Sequence, residues 1–280
     1  HHRDIAAALE AVARGDIRRL MITMPPRHGK CIAMGSPVLL ADGGYKAIES
    51  VRPGDMVVSV DASYRRSKRA VVATHNNGSK PVLRITLFSG RQLVCTENHP
   101  LLTVQGWREA GLLAVGDSIA ALRETPMPEC ESLPYGFAAL MGYLTGDGSF
   151  GQGNPIVTAS EPEVVAHLTE IAAAHEWVLR QDGKYGYHIR KPSRIGAKNG
   201  TSAQERLRQY MNPARSADKR VPDCIWTANE SDLRAFLAAY FNCDGTVTEQ
   251  REGLADFYST SEGLLRDVQT ILTRLGIYST

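Results

Sequence analysis

Short apolar runs separated by turn residues characterise residues 31 to 125. The runs at 38–40, 56–58, 70–73, 82–87 and 101–104 consist mainly of Val, Leu, Ala and Ile. Gly-, Asn- and Asp-containing clusters such as Asn76-Asn77-Gly78 separate them. Runs of this length bounded by turn residues are typical of β-strands. This region is therefore predicted to be an all-β module.

Beyond a proline-containing linker at 126–134, strands and helices alternate and one segment repeats. Residues 140–148 (LMGYLTGDG) resemble residues 237–245 (LAAYFNCDG), and a strand is predicted after each copy. A helix is then predicted to begin at Ser160-Glu161 in the first copy and at Ser261-Glu262 in the second. A repeat of this kind predicts a pseudo-symmetric pair of α/β subdomains. We expect the second to be truncated at residue 280.

These patterns divide the chain into four parts and indicate an α+β fold. Residues 1–30 form an opening segment, 31–125 the β-rich module, 126–134 the linker, and 135–280 the paired α/β subdomains. The chain begins with His rather than Met, so we expect it to be part of a longer reading frame.

The composition is that of a globular protein. Hydrophobic residues make up 43% of the chain and charged residues 22%. No apolar stretch approaches the roughly 20 residues of a membrane span, so we expect no membrane partner. Five cysteines (31, 95, 130, 224 and 243) are scattered without a C-x-x-C pair, which argues against a disulfide framework and a structural zinc site. A reducing cytoplasm, bacterial or phage-infected, fits this usage.

Positive charge is concentrated between residues 180 and 220. Eleven Lys and Arg residues lie there against three acidic residues, although the net charge of the whole chain is only +2. Arg190, Lys191, Arg194 and Lys198 form its middle part. Such a segment is either a phosphate-binding surface or a solvated loop, and charge alone leaves both open.

The opening segment ends in a sequence suited to phosphate binding. A helical pattern is followed by an apolar strand at 20–24 and then by Pro25-Pro26-Arg27-His28-Gly29-Lys30. Backbone N–H groups and a lysine in such a loop hold phosphates, which makes Gly29 and Lys30 candidate nucleotide-binding residues. The segment is similar to the variant loop of terminase large subunits, the viral DNA-packaging ATPases; an unrelated strand and turn is the alternative. No ATPase is complete here, because the helix that should follow is absent.

Cys31 explains this interruption. Residues 31–38 (CIAMGSPV) together with 48–57 (IESVRPGDMV) resemble the opening block of inteins, and 96–102 (TENHPLL) resembles their T-x-x-H block. The resemblance implies a Hint splicing fold and an acyl shift at Cys31. A thiol is a good nucleophile near neutral pH, and an imidazole can protonate the departing amide nitrogen. His99 is the candidate for that transfer, Thr96 for holding the scissile amide, and Asn98 for a supporting role.

The resemblance also implies partners that this chain lacks. Inteins act on their own flanking host sequence and end with His-Asn followed by Cys, Ser or Thr, so we expect a separate C-terminal intein segment to complete the reaction. Splicing needs no cofactor. A Ser or Thr after the intein would restore the host loop behind Gly29 and Lys30, which sequencing of the downstream reading frame would test.

The repeated segments resemble the two motifs of LAGLIDADG homing endonucleases, which cleave double-stranded DNA. Small residues four apart (Gly142 and Gly146 in the first copy) let two helices approach closely. Asp147 and Asp244 would then lie side by side and hold Mg²⁺. Lys219 lies in a block similar to the lysine-containing block of the family, so it is a candidate catalytic residue; one more phosphate contact is the alternative.

The resemblance implies that the basic segment contacts DNA, with Arg and Lys on the backbone and polar side chains on base edges. We expect a monomeric intein with an endonuclease. One alternative is a fragment of a terminase-like ATPase. The other is a Hint domain whose LAGLIDADG part binds DNA without cleaving it; the presence of both Asp147 and Asp244 speaks against this second alternative.

Overall fold

The computed structural model describes residues 31–61, 63–122, 125–128, 130–149, 153–192, 202–211, 213–247 and 254–280. The predicted elements of residues 1–30, with Gly29 and Lys30, lie outside these ranges, as do Arg194 and Lys198. Among the described residues, no helix has both the length and the apolar character to cross a membrane.

Four antiparallel hairpins occupy residues 37 to 109. Their strands are β1 (Pro37–Leu39) with β2 (Tyr45–Ala47), β3 (Met56–Val60) with β4 (Arg66–Ala70), β5 (Leu83–Thr86) with β6 (Gln92–Cys95), and β7 (Pro100–Thr103) with β8 (Gly106–Glu109). Short 3₁₀ turns follow β2 and β8. Strands are therefore confirmed at four of the five apolar runs, while β2, β6 and β8 were not predicted.

The strand predicted at 70–73 was wrong. The observed β4 is Arg66–Ala70, and its register pairs Ala70 with Met56 and Arg66 with Val60. Beyond Ala70, Val72 is almost fully exposed. Pairing with β3, and not the burial of apolar side chains, determines where this strand lies. Its sequence is basic and faces solvent, so it contains no apolar run that would predict a strand.

The chain separates into two compact units. Among the described residues, the first contains 31–36 together with His75–Thr86 and Gln92–Ala120, and so includes β5 to β8. The second contains Pro37–Thr74, Leu87–Arg91 and Ala121–Thr280, and so includes β1 to β4 and every helix described below.

In the described part of the second unit there are six α-helices and six further strands. In chain order these are α1 (Phe137–Thr145), β9 (Gly148–Ser149), β10 (Ile156–Thr158), α2 (Pro162–Ala174), β11 (Val178–Asp182), β12 (Gly186–Arg190), α3 (Ala203–Leu207), α4 (Asp223–Trp226), α5 (Glu230–Asp244), β13 (Gly245–Val247), β14 (Ala255–Phe257) and α6 (Glu262–Arg274). Strands β9 to β12 form one sheet in the order β11-β12-β10-β9, and β13 pairs with β14. Both repeated segments are therefore followed by a hairpin and then a helix.

Helix α1 is buried along its whole length and forms the centre of the hydrophobic core. Helices apolar on all sides are stable only inside a protein. Helices α5 and α6 begin at side-chain caps: Asn229 accepts a hydrogen bond from the Asp232 amide, and Ser261 accepts one from the Leu264 amide. Helix α2 begins with Pro162 in its first turn.

Helices α1 and α5 approach each other through their small residues. A Cβ atom added to Gly142 would lie 2.4 Å from the carbonyl oxygen of Phe236, and one added to Gly146 would lie 2.4 Å from the Cβ of Cys243. Ala239 is the second neighbour of Gly142, at 2.8 Å. The two helix backbones are therefore too close together for a side chain at Gly142 or Gly146.

The C-terminal end of α6 holds two loops of the β-rich segment that belong to the same unit. Arg274 is buried and donates hydrogen bonds to the carbonyl oxygens of Trp226 and Gly43. Its guanidinium also lies over the ring of Tyr45. Arg91 donates to the Gln269 carbonyl and the Thr273 hydroxyl. This helix therefore contacts both the β1–β2 turn and the turn before β6.

We predict that Gly142→Ala destabilises the protein. An alanine normally stabilises a helix by about 1 kcal/mol relative to glycine. Here the added methyl group overlaps the Phe236 carbonyl, and such overpacking costs roughly 1–3 kcal/mol. Thermal unfolding should therefore show a lower melting temperature. Gly153→Ala is the matched control, because a Cβ at Gly153 meets no atom within 4 Å; equal melting temperatures for the two variants would contradict the close approach.

Candidate functional site

Thr96 forms hydrogen bonds with both the amide and the carbonyl of Cys31. The Cys31 amide donates to the Thr96 hydroxyl oxygen at 3.0 Å, and the Thr96 amide donates to the Cys31 carbonyl at 3.0 Å. The Thr96 hydroxyl in turn donates to the side-chain oxygen of Asn98 at 2.8 Å. Because that donation orients the hydroxyl, its lone pairs face the Cys31 amide. Thr96 is buried and Cys31 is half-buried.

The β-structure fixes the position of Thr96. It follows β6 directly, and Cys95 at the end of β6 is completely buried. Residues 31 to 33 run alongside this strand, with a bridge between Ile32 and Cys95 and a hydrogen bond from the Ala33 amide to Val94. The segment carrying Cys31 is therefore added to the edge of β6.

His99 lies in the same turn as Thr96. Its amide donates to the Thr96 carbonyl at 2.9 Å, and its own carbonyl accepts from Ala110 at 2.8 Å. The Gly111 amide binds the Glu97 carbonyl beside it. The turn is thus fastened to the 3₁₀ turn after β8, and the half-buried His99 shares a rigid frame with Thr96 and Asn98.

One neighbour of the cysteine was not predicted. The side-chain amide of Asn77 donates to the sulfur of Cys31 at 3.1 Å. In the sequence, Asn77 was interpreted only as part of a turn. The contact joins residues 46 positions apart, and no local pattern signals it.

The second candidate site lies where α1 and α5 end. Asp147 follows α1 by two residues, and Asp244 is the last residue of α5. Their carbonyls accept equivalent hydrogen bonds, from Thr158 for Asp147 and from Tyr258 for Asp244. Each aspartate is therefore anchored to the second strand of the hairpin that follows it.

The two carboxylates share one electrostatic environment. Partial burial raises the pKa of the Asp147 carboxyl, although the residue as a whole is exposed, and the charge of Asp244 raises it further. Burial likewise raises the pKa of Asp244, while Lys219 and a hydrogen bond with Tyr240 oppose this. Two partly buried carboxylates whose ionisation is disfavoured form a centre suited to positive charge.

Lys219 supplies positive charge at this centre. Its ammonium group donates to the carbonyl of Gly146 at 2.6 Å and to that of Gly148 at 3.2 Å. Burial lowers its pKa, and the charges of Asp244 and Asp147 oppose that shift. The structure thus brings Lys219, Asp147 and Asp244 together. In the described ranges, no group of three or more His, Cys, Asp or Glu side chains is arranged to hold a metal ion.

Two residues that the sequence did not reveal hold the segment carrying Lys219. The Ser261 hydroxyl donates to the Lys219 carbonyl at 2.7 Å. The buried Asp267 accepts two hydrogen bonds from Arg220, at 2.6 and 2.7 Å, and one from the Val221 amide at 3.1 Å. The N-terminal half of α6 therefore positions the lysine.

The basic residues predicted to bind DNA are only partly described. Arg190 ends β12, opposite Val178 of β11, and the exposed Lys191 follows it. Arg180 lies opposite His188, which in turn lies opposite Ile156. Leu179 pairs with the buried Ile189. Because strand faces alternate, Arg180, His188 and Arg190 share the face opposite the core.

Two family models match the chain. The Pretoxin HINT domain matches residues 38–125, and the LAGLIDADG-like domain matches residues 231–280. The chain therefore contains a Hint-like segment followed by a LAGLIDADG-like segment. The matched ranges contain Thr96 and His99 in one case and Asp244 in the other.

The chain is also similar to parts of larger proteins. It is 31% identical over 270 residues to the replicative DNA helicase DnaB of Rhodothermus marinus, covering 90% of this chain and 28% of the relative. It is 28% identical over 268 residues to protein RecA of Mycobacterium tuberculosis, covering 90% and 33%. The chain thus spans about a third of the length of these curated relatives.

Among solved structures, the chain is similar to a DnaB intein from Synechocystis sp. PCC 6803, with 23% identity and a TM-score of 0.33 over 34% of this chain and 70% of that one. It is also similar to the Ssp DnaB mini-intein variant M86, with 22% identity and a TM-score of 0.35 over 39% and 71%.

We predict that Asp147→Asn raises the melting temperature at pH 7.5 in the presence of EDTA. The folded-state pKa of Asp147 is raised, so the folded protein loses stability as pH rises through that value, and asparagine avoids the loss. Thermal unfolding should show a gain of roughly 1–2 °C. The gain should shrink as the pH falls towards about 4, where an unfolded aspartate also takes up a proton.

Asp267→Asn is the matched control with the opposite sign. Its carboxylate is paired with Arg220, so the same substitution should lower the melting temperature at pH 7.5. A lower melting temperature for Asp147→Asn as well would contradict the electrostatic account of the aspartate pair.

Proposed function

We propose that this chain is most of an intein that splices itself from a host protein and also cleaves double-stranded DNA at a specific site. The observation that carries the splicing proposal is the hydrogen bond from the Cys31 amide to Thr96, because that amide belongs to the Lys30–Cys31 bond to be broken. The adjacent pair of raised-pKa carboxylates beside Lys219 carries the nuclease proposal.

The proposed first step of splicing is an N–S acyl shift. The sulfur of Cys31 attacks the carbonyl carbon of Lys30, the C–N bond breaks, and a thioester forms. The proton lost by the thiol balances the proton gained by the Cys31 nitrogen, with His99 as the group that transfers it. Thr96 aligns the amide before reaction and accepts a hydrogen bond from the amine afterwards. Proximity within one chain supplies much of the rate.

Completion of splicing needs the host flank and a C-terminal intein segment as partners, and no cofactor. We propose that the interrupted host is a terminase-like ATPase whose Gly29-Lys30 loop is rejoined by splicing. The similarity of residues 24–30 to that loop supports this host, whereas the DnaB and RecA relatives described above are other kinds of protein. We expect the protein to be a cytoplasmic monomer, and this stays a prediction. The same holds for the domain boundaries, which are 31–125, 126–134 and 135–280.

For the nuclease, we propose that Asp147 and Asp244 hold Mg²⁺. Mg²⁺ takes one or two carboxylates, with waters and phosphate oxygens completing its shell, and the two aspartates fit this requirement. When bound, the ion supplies charge stabilisation at the phosphate and an activated water. Lys219 donates its N–H groups to two carbonyls beside the aspartates, from where its charge stabilises the phosphate oxygens.

The repeated order of helix, hairpin and helix supports a pseudo-symmetric pair of subdomains around this centre. The sheet face with Arg180, His188 and Arg190 is then the proposed DNA surface in the first subdomain, with Lys191, Arg194 and Lys198 following it in sequence. Arginine and histidine donors on a sheet suit phosphates and base edges in a major groove.

The splicing proposal predicts that Thr96→Val slows the acyl shift at least about tenfold, since valine keeps the shape but removes the acceptor of the Cys31 amide. The rate is measured as release of residues 1–30 by dithiothreitol from the full-length gene product. Thr103→Val is the control. Thr103 is also buried, and its replacement also removes two hydrogen bonds, one accepted from the Gln105 amide and one donated to the Gly106 carbonyl. Equal rates for both variants would remove the assigned role of Thr96.

The nuclease proposal predicts that wild-type protein linearises a plasmid carrying the uninterrupted host gene in Mg²⁺ but not in EDTA. Asp244→Asn and Lys219→Met should each lower the cleavage rate at least about 100-fold while gel retardation of the same DNA persists. Asp256→Asn, a change on the neighbouring hairpin, should cleave normally. Retardation without cleavage by the wild type would establish the non-cleaving alternative instead.

A further inference from the structure

We propose that the side chain of Asn77 activates the Cys31 sulfur as a hydrogen-bond donor. This inference rests on the proposed acyl shift, in which that sulfur is the nucleophile. The proposal is based on the 3.1 Å contact between the side-chain amide nitrogen of Asn77 and the sulfur of Cys31. An amide nitrogen carries only donor hydrogens, so the contact places positive charge density against the sulfur.

The loop that carries Asn77 is fixed by its own residues. The side-chain oxygen of Asn76 accepts a hydrogen bond from the Gly78 amide at 2.9 Å. Gly78 has a φ of 68°, in the left-handed region that glycine adopts without strain. An asparagine that bonds to the amide two residues ahead is a recognised turn-forming arrangement. Asn77 is therefore presented by a defined turn, although the loop is exposed to solvent.

The opposite side of the contact is fixed as well. Thr96 holds the amide and the carbonyl of Cys31, so the backbone from which the thiol projects is constrained. The Asn77 turn and the Thr96 turn thus approach Cys31 from two different loops of the same unit. Together they bind the leaving nitrogen and the attacking sulfur of one residue.

A hydrogen bond to sulfur favours its negatively charged form. The sulfur of Cys31 must give up its proton as it attacks, so a donated N–H stabilises the negative charge that develops on the sulfur. A residue that only held the loop in place would tolerate aspartate, which has the same shape as asparagine but offers no donor.

The test compares Asn77→Asp and Asn77→Ala with Asn76→Asp. Asn77→Asp replaces the donor by a carboxylate that repels a charged sulfur. Asn76→Asp adds the same charge one residue away and keeps an acceptor for the Gly78 amide, so it is the matched control. Iodoacetamide modification of Cys31 in the full chain is followed by peptide mass spectrometry at pH 7.5. This reaction does not require splicing.

At pH 7.5 we expect alkylation of Cys31 to fall about fivefold in Asn77→Asp and about twofold in Asn77→Ala, with Asn76→Asp close to wild type. Equal rates in Asn77→Asp and Asn76→Asp would overturn the proposal. Dithiothreitol release of residues 1–30 is measured in parallel. Its absence in every variant would count against the acyl shift, while the alkylation rates still decide the role of Asn77.

Discussion

The contact between the backbones of α1 and α5 is the constraint on which most of the second unit depends. Gly142 and Gly146 leave no room for a side chain against Phe236 and Cys243, so the helices meet along one line and their C-terminal ends emerge together. The hydrophobic core is built around this pair. The same geometry brings together Asp147 and Asp244, whose raised pKa values reflect the cost of that placement.

Helix α6 connects that centre to the rest of the unit. Its first half fixes the segment of Lys219 through Ser261 and Asp267, and its last turn holds the β1–β2 turn through Arg274. Burying a guanidinium is costly unless its N–H groups are paired. Here two of the three nitrogens donate to backbone carbonyls and aromatic rings lie beside the group, while Nε has no hydrogen-bond partner among the described residues. One helix thus supports both the proposed nuclease centre and part of the β-rich segment.

The sequence predicted those features that depend on short, repeated or family-like patterns. The helices of the repeated segments and the strands at four of the five apolar runs belong to this class. Strand β4 was misplaced because its register with β3 overrides a polar sequence. Asp267 resembles any charged residue of an amphipathic helix, and only tertiary packing buries it. Asn77 was missed for a related reason, since its contact with Cys31 depends on how two distant loops meet.

The central claim is that Cys31 is a splicing nucleophile at a boundary between host and intein. The most direct test is the intact mass of the full-length gene product after dithiothreitol treatment, for wild type and for Cys31→Ala. The account predicts that the wild type loses residues 1–30, leaving a fragment that begins at Cys31, and that Cys31→Ala stays intact. A folded wild-type protein that keeps residues 1–30, or a variant that loses them equally well, would contradict it.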